Sequence, residues 1–226
     1  MASAPEAARA WLLVEHPGPW PHEPAETALP APLDALVSSA AQLGIRVQMI
    51  RRPGRRASGA GGIYAAWTAG PEPWLRRADR DHLGKLDLEE LAAGNAPGSG
   101  PGFGPGFGPA VSEPLFLVCT HAQRNACCAR LGGPLAQALA ARYPGQVFQT
   151  THVGGHRFAA NLVILPHGLY YGPVGVAEAT AAIGAYQLGA VTPGRYRGRA
   201  GQPKAAQQAE YEALIRAGSL RVAALA

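Results

Sequence analysis

Two pairs of residues with the chemistry of metal ligands lie in the second half of the chain. Cys119 and Cys128 have eight residues between them, and His152 and His156 have three. Two thiolates and two imidazoles can hold zinc in a tetrahedral site, or an iron–sulfur cluster with two cysteines on one iron and two histidines on the other. The pattern therefore predicts a metal or redox centre and leaves its metal open.

The two cysteines lie at opposite ends of a predicted connection between a strand and a helix. An apolar strand over residues 115–118 ends at Cys119, and Cys128 opens a helix predicted over residues 129–142. A second strand, over residues 147–150, leads into the histidine pair. The partial positive charge of a helix N-terminus stabilises a thiolate, which is the form that binds metal. The cysteines and histidines are thus expected on facing loops of one small domain.

The remaining elements of the second half complete a known order. A hairpin is predicted from residues 161–165 and 169–171, and a helix over residues 175–188 that Gly189 stops. Strand, helix, strand, hairpin and helix is the order of a thioredoxin-like domain. The tail after Pro193 is predicted to be loop-like and to end in a helix over residues 203–217.

The first half has a similar outline with weaker patterns. Its predicted strands and helices cover residues 11–14, 33–43, 45–50, 63–68 and 79–92. It contains no cysteine, so it cannot hold a thiolate-bound cluster of its own. We therefore predict an α/β (α+β) fold, with a thioredoxin-like domain in the C-terminal half. The smaller αβ N-terminal half is a candidate for a degenerate thioredoxin-like unit.

A segment rich in glycine and proline, with a repeated Pro-Gly-Phe-Gly unit, separates the two halves. Such a run builds neither helix nor sheet and is typical of a linker or a long exposed loop. The predicted organisation is an N-terminal αβ domain over residues 1–93, a linker or loop over residues 94–113, and a thioredoxin-like ferredoxin domain with a C-terminal helix over residues 114–226.

Composition predicts a folded globular protein, because 47% of the residues are hydrophobic and 15% are charged. The net charge of +5 is too dispersed to predict a nucleic-acid partner. Three cysteines within ten positions fit a metal or redox cluster in a reducing compartment better than a disulfide framework. No apolar run has the length of a membrane span or of a signal core, so we expect a cytoplasmic protein without a membrane partner.

Simpler interpretations of the same residues remain open. Free cysteines are often core residues, and histidines in loops are often only polar surface. Cys127 is adjacent to Cys128, so normally one of the two points into a given site. A redox disulfide between Cys119 and Cys128 is another alternative, although the short Cys-x-x-Cys spacing is missing. His121 lies in the cysteine loop and is a further candidate ligand or a solvated loop residue.

Three segments together resemble the sucrase/ferredoxin-like family. They are CTHAQRNACC at residues 119–128, THVGGHRFAAN at residues 151–161 and VILPHG at residues 163–168. The opening WLLVEHPGPW at residues 11–20 is also similar to the start of bacterial members. The resemblance implies a thioredoxin-like ferredoxin domain with a [2Fe–2S] cluster, in which Cys119 and Cys128 hold one iron and His152 and His156 the other. Cys127, next to the expected ligand, leaves the register of the second thiolate open.

The leading expectation is a one-electron carrier that serves an unidentified redox partner protein. Two neutral histidines make a cluster less negative than four thiolates do, so reduction should be easier. A histidine bound through one ring nitrogen keeps the other for a proton, so reduction should be coupled to protonation. The alternatives are a structural zinc module with the same Cys₂His₂ ligands and a thiol-based thioredoxin-like oxidoreductase that needs no metal.

Overall fold

The computed structural model describes residues 3–54, 61–95 and 107–225. Its strands are β1 (Ala10–Glu15), β2 (Arg46–Arg51), β3 (Ile63–Trp67), β4 (Trp74–Ala78), β5 (Leu115–Cys119), β6 (Val147–Thr150), β7 (Leu162–Leu165), β8 (Leu169–Tyr171), β9 (Ala190–Val191), β10 (Tyr196–Arg199) and β11 (Leu220–Arg221). Its α-helices are α1 (Ala31–Gln42), α2 (Leu88–Ala93), α3 (Ala126–Arg142), α4 (Val176–Gln187) and α5 (Lys204–Ala217). The mixed α/β class is therefore confirmed.

Nine of the strands in the described residues form one sheet, in the order β10-β8-β7-β5-β6-β2-β1-β3-β4. Within it, the same arrangement occurs twice. β1 is parallel to β2 and antiparallel to β3, and β3 is antiparallel to β4. In the second half, β5 is parallel to β6 and antiparallel to β7, and β7 is antiparallel to β8. The second half thus has the predicted order of strand, helix, strand, hairpin and helix, and the first half has the same order, with β4 completing a hairpin that its sequence did not predict.

The two half-sheets join through the antiparallel pairing of β2 with β6. This pairing is short, with Ile50 opposite Thr150 and Arg51 opposite Gln149. The sheet consequently continues from one half of the chain into the other. The division into residues 1–93, 94–113 and 114–226 stays a prediction, and residues 96–106 of the proposed linker lie outside the described residues.

Alternate residues of the strands enter different apolar clusters, because successive side chains point to opposite faces. Leu12 and Val14 pack with helix α1, whereas Trp11 and Leu13 pack on the other face. That other face forms one cluster across both halves, and Cys119 belongs to it. The last residue of β5 is therefore fixed by the common core as well as by its own half.

Three elements differ from the sequence-based expectation. The tail after Pro193 contains the buried strand β10, because Arg199 is paired with Glu210 and thereby enters the core without an apolar pattern. Strand β4 was not predicted, since its sequence Trp-Leu-Arg-Arg-Ala has two arginines. The single helix predicted over residues 79–92 is instead a 3-10 helix, Arg80–Lys85, followed by α2, which Asp87 caps.

Candidate metal centre

The cysteine loop is closed by a helix cap that sets which thiol faces inward. The side chain of Asn125 accepts a hydrogen bond from the Cys127 N–H at 2.9 Å, as an N-cap residue does. Helix α3 then begins at Ala126, and Cys128 is its third residue. Cys128 is fully buried beside Cys119, whereas Cys127 is exposed. The structure therefore brings Cys128, and not Cys127, to Cys119.

His152 completes a group of three ligand atoms. Its Nδ1 lies 4.0 Å from the Sγ of Cys119 and 4.0 Å from the Sγ of Cys128. The three donor atoms all lie within 4.8 Å of one another. Among the histidine, cysteine and carboxylate side chains of the described residues, these three have ligand atoms close enough together to hold one metal ion.

His156 lies near this group but outside it. Its ring centroid is 6.3 Å from that of His152, and the residue is exposed at the start of a 3-10 helix, His156–Phe158. Between the two histidines, Gly154 and Gly155 have φ angles of 95° and 70°, a left-handed conformation that glycine adopts without steric cost. The two glycines thus form the turn between the two histidines.

Another glycine allows helix α3 to approach the end of β5. A Cβ atom on Gly132 would collide with the backbone oxygen of Cys119, which no flexible side chain can relieve. This close approach places the first turn of α3, with Cys128, directly against Cys119. The sequence signals it only as a Gly-Gly pair inside a helical pattern.

The two buried thiols have opposite pKa shifts. A hydrogen bond from the Cys128 thiol lowers the pKa of Cys119 well below its ordinary value; His152 and the backbone N–H groups of His121 and Val153 act in the same direction, and burial opposes them. As the hydrogen-bond donor of the pair, and because it is buried, Cys128 has a raised pKa. Before any metal binds, the pair therefore favours one thiolate, on Cys119, and one thiol.

His152 is held by hydrogen bonds at both its peptide N–H and its peptide oxygen. The N–H donates to Nδ1 of His121 at 3.1 Å, and Nε2 of His121 lies 2.7 Å from the backbone oxygen of Pro21. The oxygen accepts from Arg46 at 3.1 Å and from Gln48 at 3.3 Å. His121 is only 1% exposed, so the expectation of a solvated loop residue is wrong.

Sequence reasoning missed the contributions of the N-terminal half to this loop. Gln48 lies in a strand with Val47, Met49 and Ile50 as neighbours, and a polar residue in such a strand is a signal of a buried hydrogen bond. Nothing in the local sequence identifies Pro21 or Arg46 as partners, because their contacts join positions 100 or more residues apart.

The donor set fits a soft-ligand metal centre. Two thiols and one imidazole suit zinc and iron–sulfur clusters rather than the hard cations that prefer oxygen. Both thiols of the group are fully buried, which disfavours direct disulfide exchange with another protein. Within the described part of the chain, no helix combines the length and apolar character needed to cross a membrane.

Comparison with known proteins identifies the family. The family model described as sucrase/ferredoxin-like matches residues 1–198, which is most of the chain. No match was found among curated proteins or among solved structures. The chain belongs to the sucrase/ferredoxin-like family.

Proposed function

We propose that this chain is a one-electron carrier whose [2Fe–2S] cluster is held by Cys119, Cys128, His152 and His156. The observation that carries the proposal is the convergence of the Cys119, Cys128 and His152 donor atoms within 4.8 Å in a chain of this family. The family and the Cys₂His group, whose two cysteines are buried, support a redox-type domain. Beyond this, we propose the [2Fe–2S] type of cluster and His156 as its fourth ligand.

The residues present fit such a cluster by their chemistry. Two irons need four protein donors, and the three cysteines of the chain exclude a set of four thiolates. His156 is the candidate for the fourth donor, because its ring lies 6.3 Å from that of His152 on the same turn. Cys119 and Cys128 would hold one iron, and the two histidines the other. When bound, the cluster supplies a centre that accepts and returns one electron.

The protein's own residues then set how the centre works. The buried thiols keep one side of the site away from water, and exposed His156 leaves the other side open to a redox partner. Nδ1 of His152 lies 4.0 Å from each sulfur, and a histidine bound through Nδ1 would keep its Nε2 for a proton. We therefore expect electron uptake to be accompanied by protonation of a histidine ring, and the reduction potential to fall as pH rises. A potential that is independent of pH would contradict this coupling.

The proposal is tested by anaerobic purification of the full chain, with measurement of iron, sulfide and zinc per chain and of the EPR spectrum after reduction. We expect two irons and two sulfides per chain and a reduced spectrum typical of mixed cysteine and histidine ligation. Zinc alone, after iron-replete expression and failed cluster reconstitution, would contradict the proposal.

A structural zinc site is the second candidate, because one observation favours it specifically. In a tetrahedral ion with zinc–sulfur and zinc–nitrogen bonds of about 2.3 and 2.0 Å, sulfur and nitrogen ligands are about 3.5 Å apart. The Sγ–Nδ1 separations of 4.0 Å from His152 to both cysteines are close to this value. On this alternative one ion binds Cys119, Cys128 and His152, and the same metal analysis distinguishes it by one zinc and no sulfide.

A further inference from the structure

Strand β6, which pairs with β2 to join the two halves, ends at Thr150, two residues before His152. Just beyond β6, the Thr151 N–H donates a last backbone hydrogen bond to the oxygen of Met49 in β2, at 3.0 Å. Beyond Thr151 the chain leaves the sheet to form the turn that carries both histidines. A ligand on such a turn needs other contacts to hold its ring in a fixed place.

The side chain of Gln48 provides contacts at this point. It is 2% exposed, and its Oε1 accepts hydrogen bonds from the hydroxyls of Thr150, at 3.0 Å, and Thr151, at 2.8 Å. Its Nε2 donates to the peptide oxygen of His152 at 3.3 Å. One buried amide from β2 therefore spans three consecutive residues at the point where β6 becomes the histidine turn.

Arg46 adds a second donor to the same oxygen. Its Nη2 lies 3.1 Å from the His152 oxygen, and its guanidinium carbon lies 5.2 Å from the ring centroid of Trp11. A hydrogen bond from a charged donor is stronger than one between neutral groups. Stacking on Trp11, which is fully buried, limits the positions that the guanidinium can take.

We propose that Gln48 and Arg46 are positioning residues for His152: the half of the chain that has no cysteine holds the metal-binding histidine of the other half by its peptide oxygen. This inference rests on the proposed metal site at Cys119, Cys128 and His152, but not on which metal it holds. Groups that hold a ligand in place are commonly worth about 10- to 100-fold in metal affinity. Gln48 and Arg46 act through His152 and do not touch the metal.

A neighbouring hydrogen bond supplies the matched control. Gln149 accepts from Nε of Arg51 at 2.8 Å, across the same pair of strands. This pair also joins the two halves of the chain, but its hydrogen bond does not involve His152. A role limited to holding the halves together would make Gln48 and Gln149 equivalent, whereas a positioning role makes only Gln48 important for the metal.

The experiment titrates metal-free, full-length chains with Co²⁺ under anaerobic conditions. It records the sulfur-to-cobalt and ligand-field absorption, and a thermal unfolding curve is measured for each metal-free variant. The chains are the wild type, Gln48→Met, Arg46→Met and the control Gln149→Met. We expect Gln48→Met and Arg46→Met to bind Co²⁺ about 10- to 100-fold more weakly with altered ligand-field bands, and Gln149→Met to match the wild type.

Three results would overturn the inference. The first is wild-type affinity and absorption in both Gln48→Met and Arg46→Met. The second is an equal loss of affinity in Gln149→Met, which would indicate a general effect of the joined strands. The third is a wild-type chain that takes up no Co²⁺, which would overturn the proposed metal site as well and is thereby distinguished from the first two. If Gln48→Met does not fold, the less buried Arg46→Met decides the question by the same criteria.

Discussion

The two halves of this molecule share one arrangement of strands and helices but differ in the loop after their first strand. Strand β5 ends at Cys119, and a short loop leads into α3 with Cys128 in its first turn. The corresponding strand β1 ends at Glu15 and is succeeded by a long, proline-rich loop over residues 16–30. The same topology thus carries a candidate metal centre in one half and has no thiol ligand in the other.

The long loop of the N-terminal half contributes to the site of the C-terminal half. The backbone oxygen of Pro21 lies 2.7 Å from His121, Trp20 packs edge-on against the same ring, and Glu23 forms an ion pair with Arg124. The N-terminal half, which has no thiol of its own, thus contacts the cysteine loop of the C-terminal half at His121 and Arg124. The candidate ligands lie at or beyond the ends of β5 and β6, so in this half the strands position the residues that the loops carry.

Among substitutions that test this difference between the halves, we expect the largest effect, a loss of bound metal, at the buried cysteines. Because the N-terminal half offers no replacement thiolate, Cys119→Ser or Cys128→Ser should remove most of the bound metal, while Cys127→Ser should keep it. The measurement is metal content per chain after identical anaerobic purification. Loss of metal in Cys127→Ser comparable to that in Cys128→Ser would show that the exposed thiol is the ligand.

The next largest effect is expected where helix α3 meets the cysteine strand. Gly132→Ala would force the new Cβ against the Cys119 oxygen, so we expect a loss of about 1–3 kcal/mol in the free energy of unfolding. Gly133→Ala is the matched control, since its Cβ would meet nothing within 4 Å, and it should stabilise the helix by about 0.5–1 kcal/mol. Urea unfolding of the metal-free chains measures both, and equal midpoints for the two variants would contradict the close approach.

A comparable or smaller loss is expected from the residue that supports the far side of the histidine turn. Arg197 is 2% exposed and donates to Asn161, to the Ser3 hydroxyl at 3.0 Å and to the Ser3 backbone oxygen at 2.9 Å. Burial lowers the pKa of its guanidinium to about 10, which still leaves it charged at neutral pH. Arg197→Met would leave these acceptors without their donor, so we expect a loss of about 1–3 kcal/mol in thermal or urea unfolding. An unchanged midpoint would show that these buried hydrogen bonds do not contribute to the stability of the fold.

The smallest effect concerns pH and a histidine away from the site. Burial, with the nearby charge of Arg199, lowers the pKa of His167 to about 4, and its Nδ1 lies 2.6 Å from the Tyr186 hydroxyl. Between about pH 6.5 and 4 the unfolded chain binds a proton at this residue that the folded chain refuses, so stability falls as pH falls through this window. The variant His167→Gln should lose less stability than the wild type between pH 7 and pH 4. An equal loss of stability in the two proteins between pH 7 and pH 4 would contradict the lowered pKa of His167.

The candidate ligand residues could be predicted from the sequence because their chemistry is local. Cys119, Cys128 and His152 were identified by residue type and spacing, and the apolar runs before them predicted β5 and β6. Strand β10 could not be predicted in the same way, since Arg197 and Arg199 enter the core only through partners elsewhere in the chain. The roles of His121 and Gln48 depend on contacts between the two halves, which no local pattern indicates.

The central claim is that the C-terminal half supplies all the metal ligands, and that these include both cysteines and histidines. The most direct test is a count of the nitrogen ligands. The full chain would be labelled with ¹⁵N only in histidine, loaded with iron and sulfide, reduced, and studied by pulsed EPR. Coupling of the centre to two histidine nitrogens in the wild type, reduced in number in His152→Ala and in His156→Ala, is the predicted result. A centre that forms without coupling to any histidine nitrogen would contradict the account.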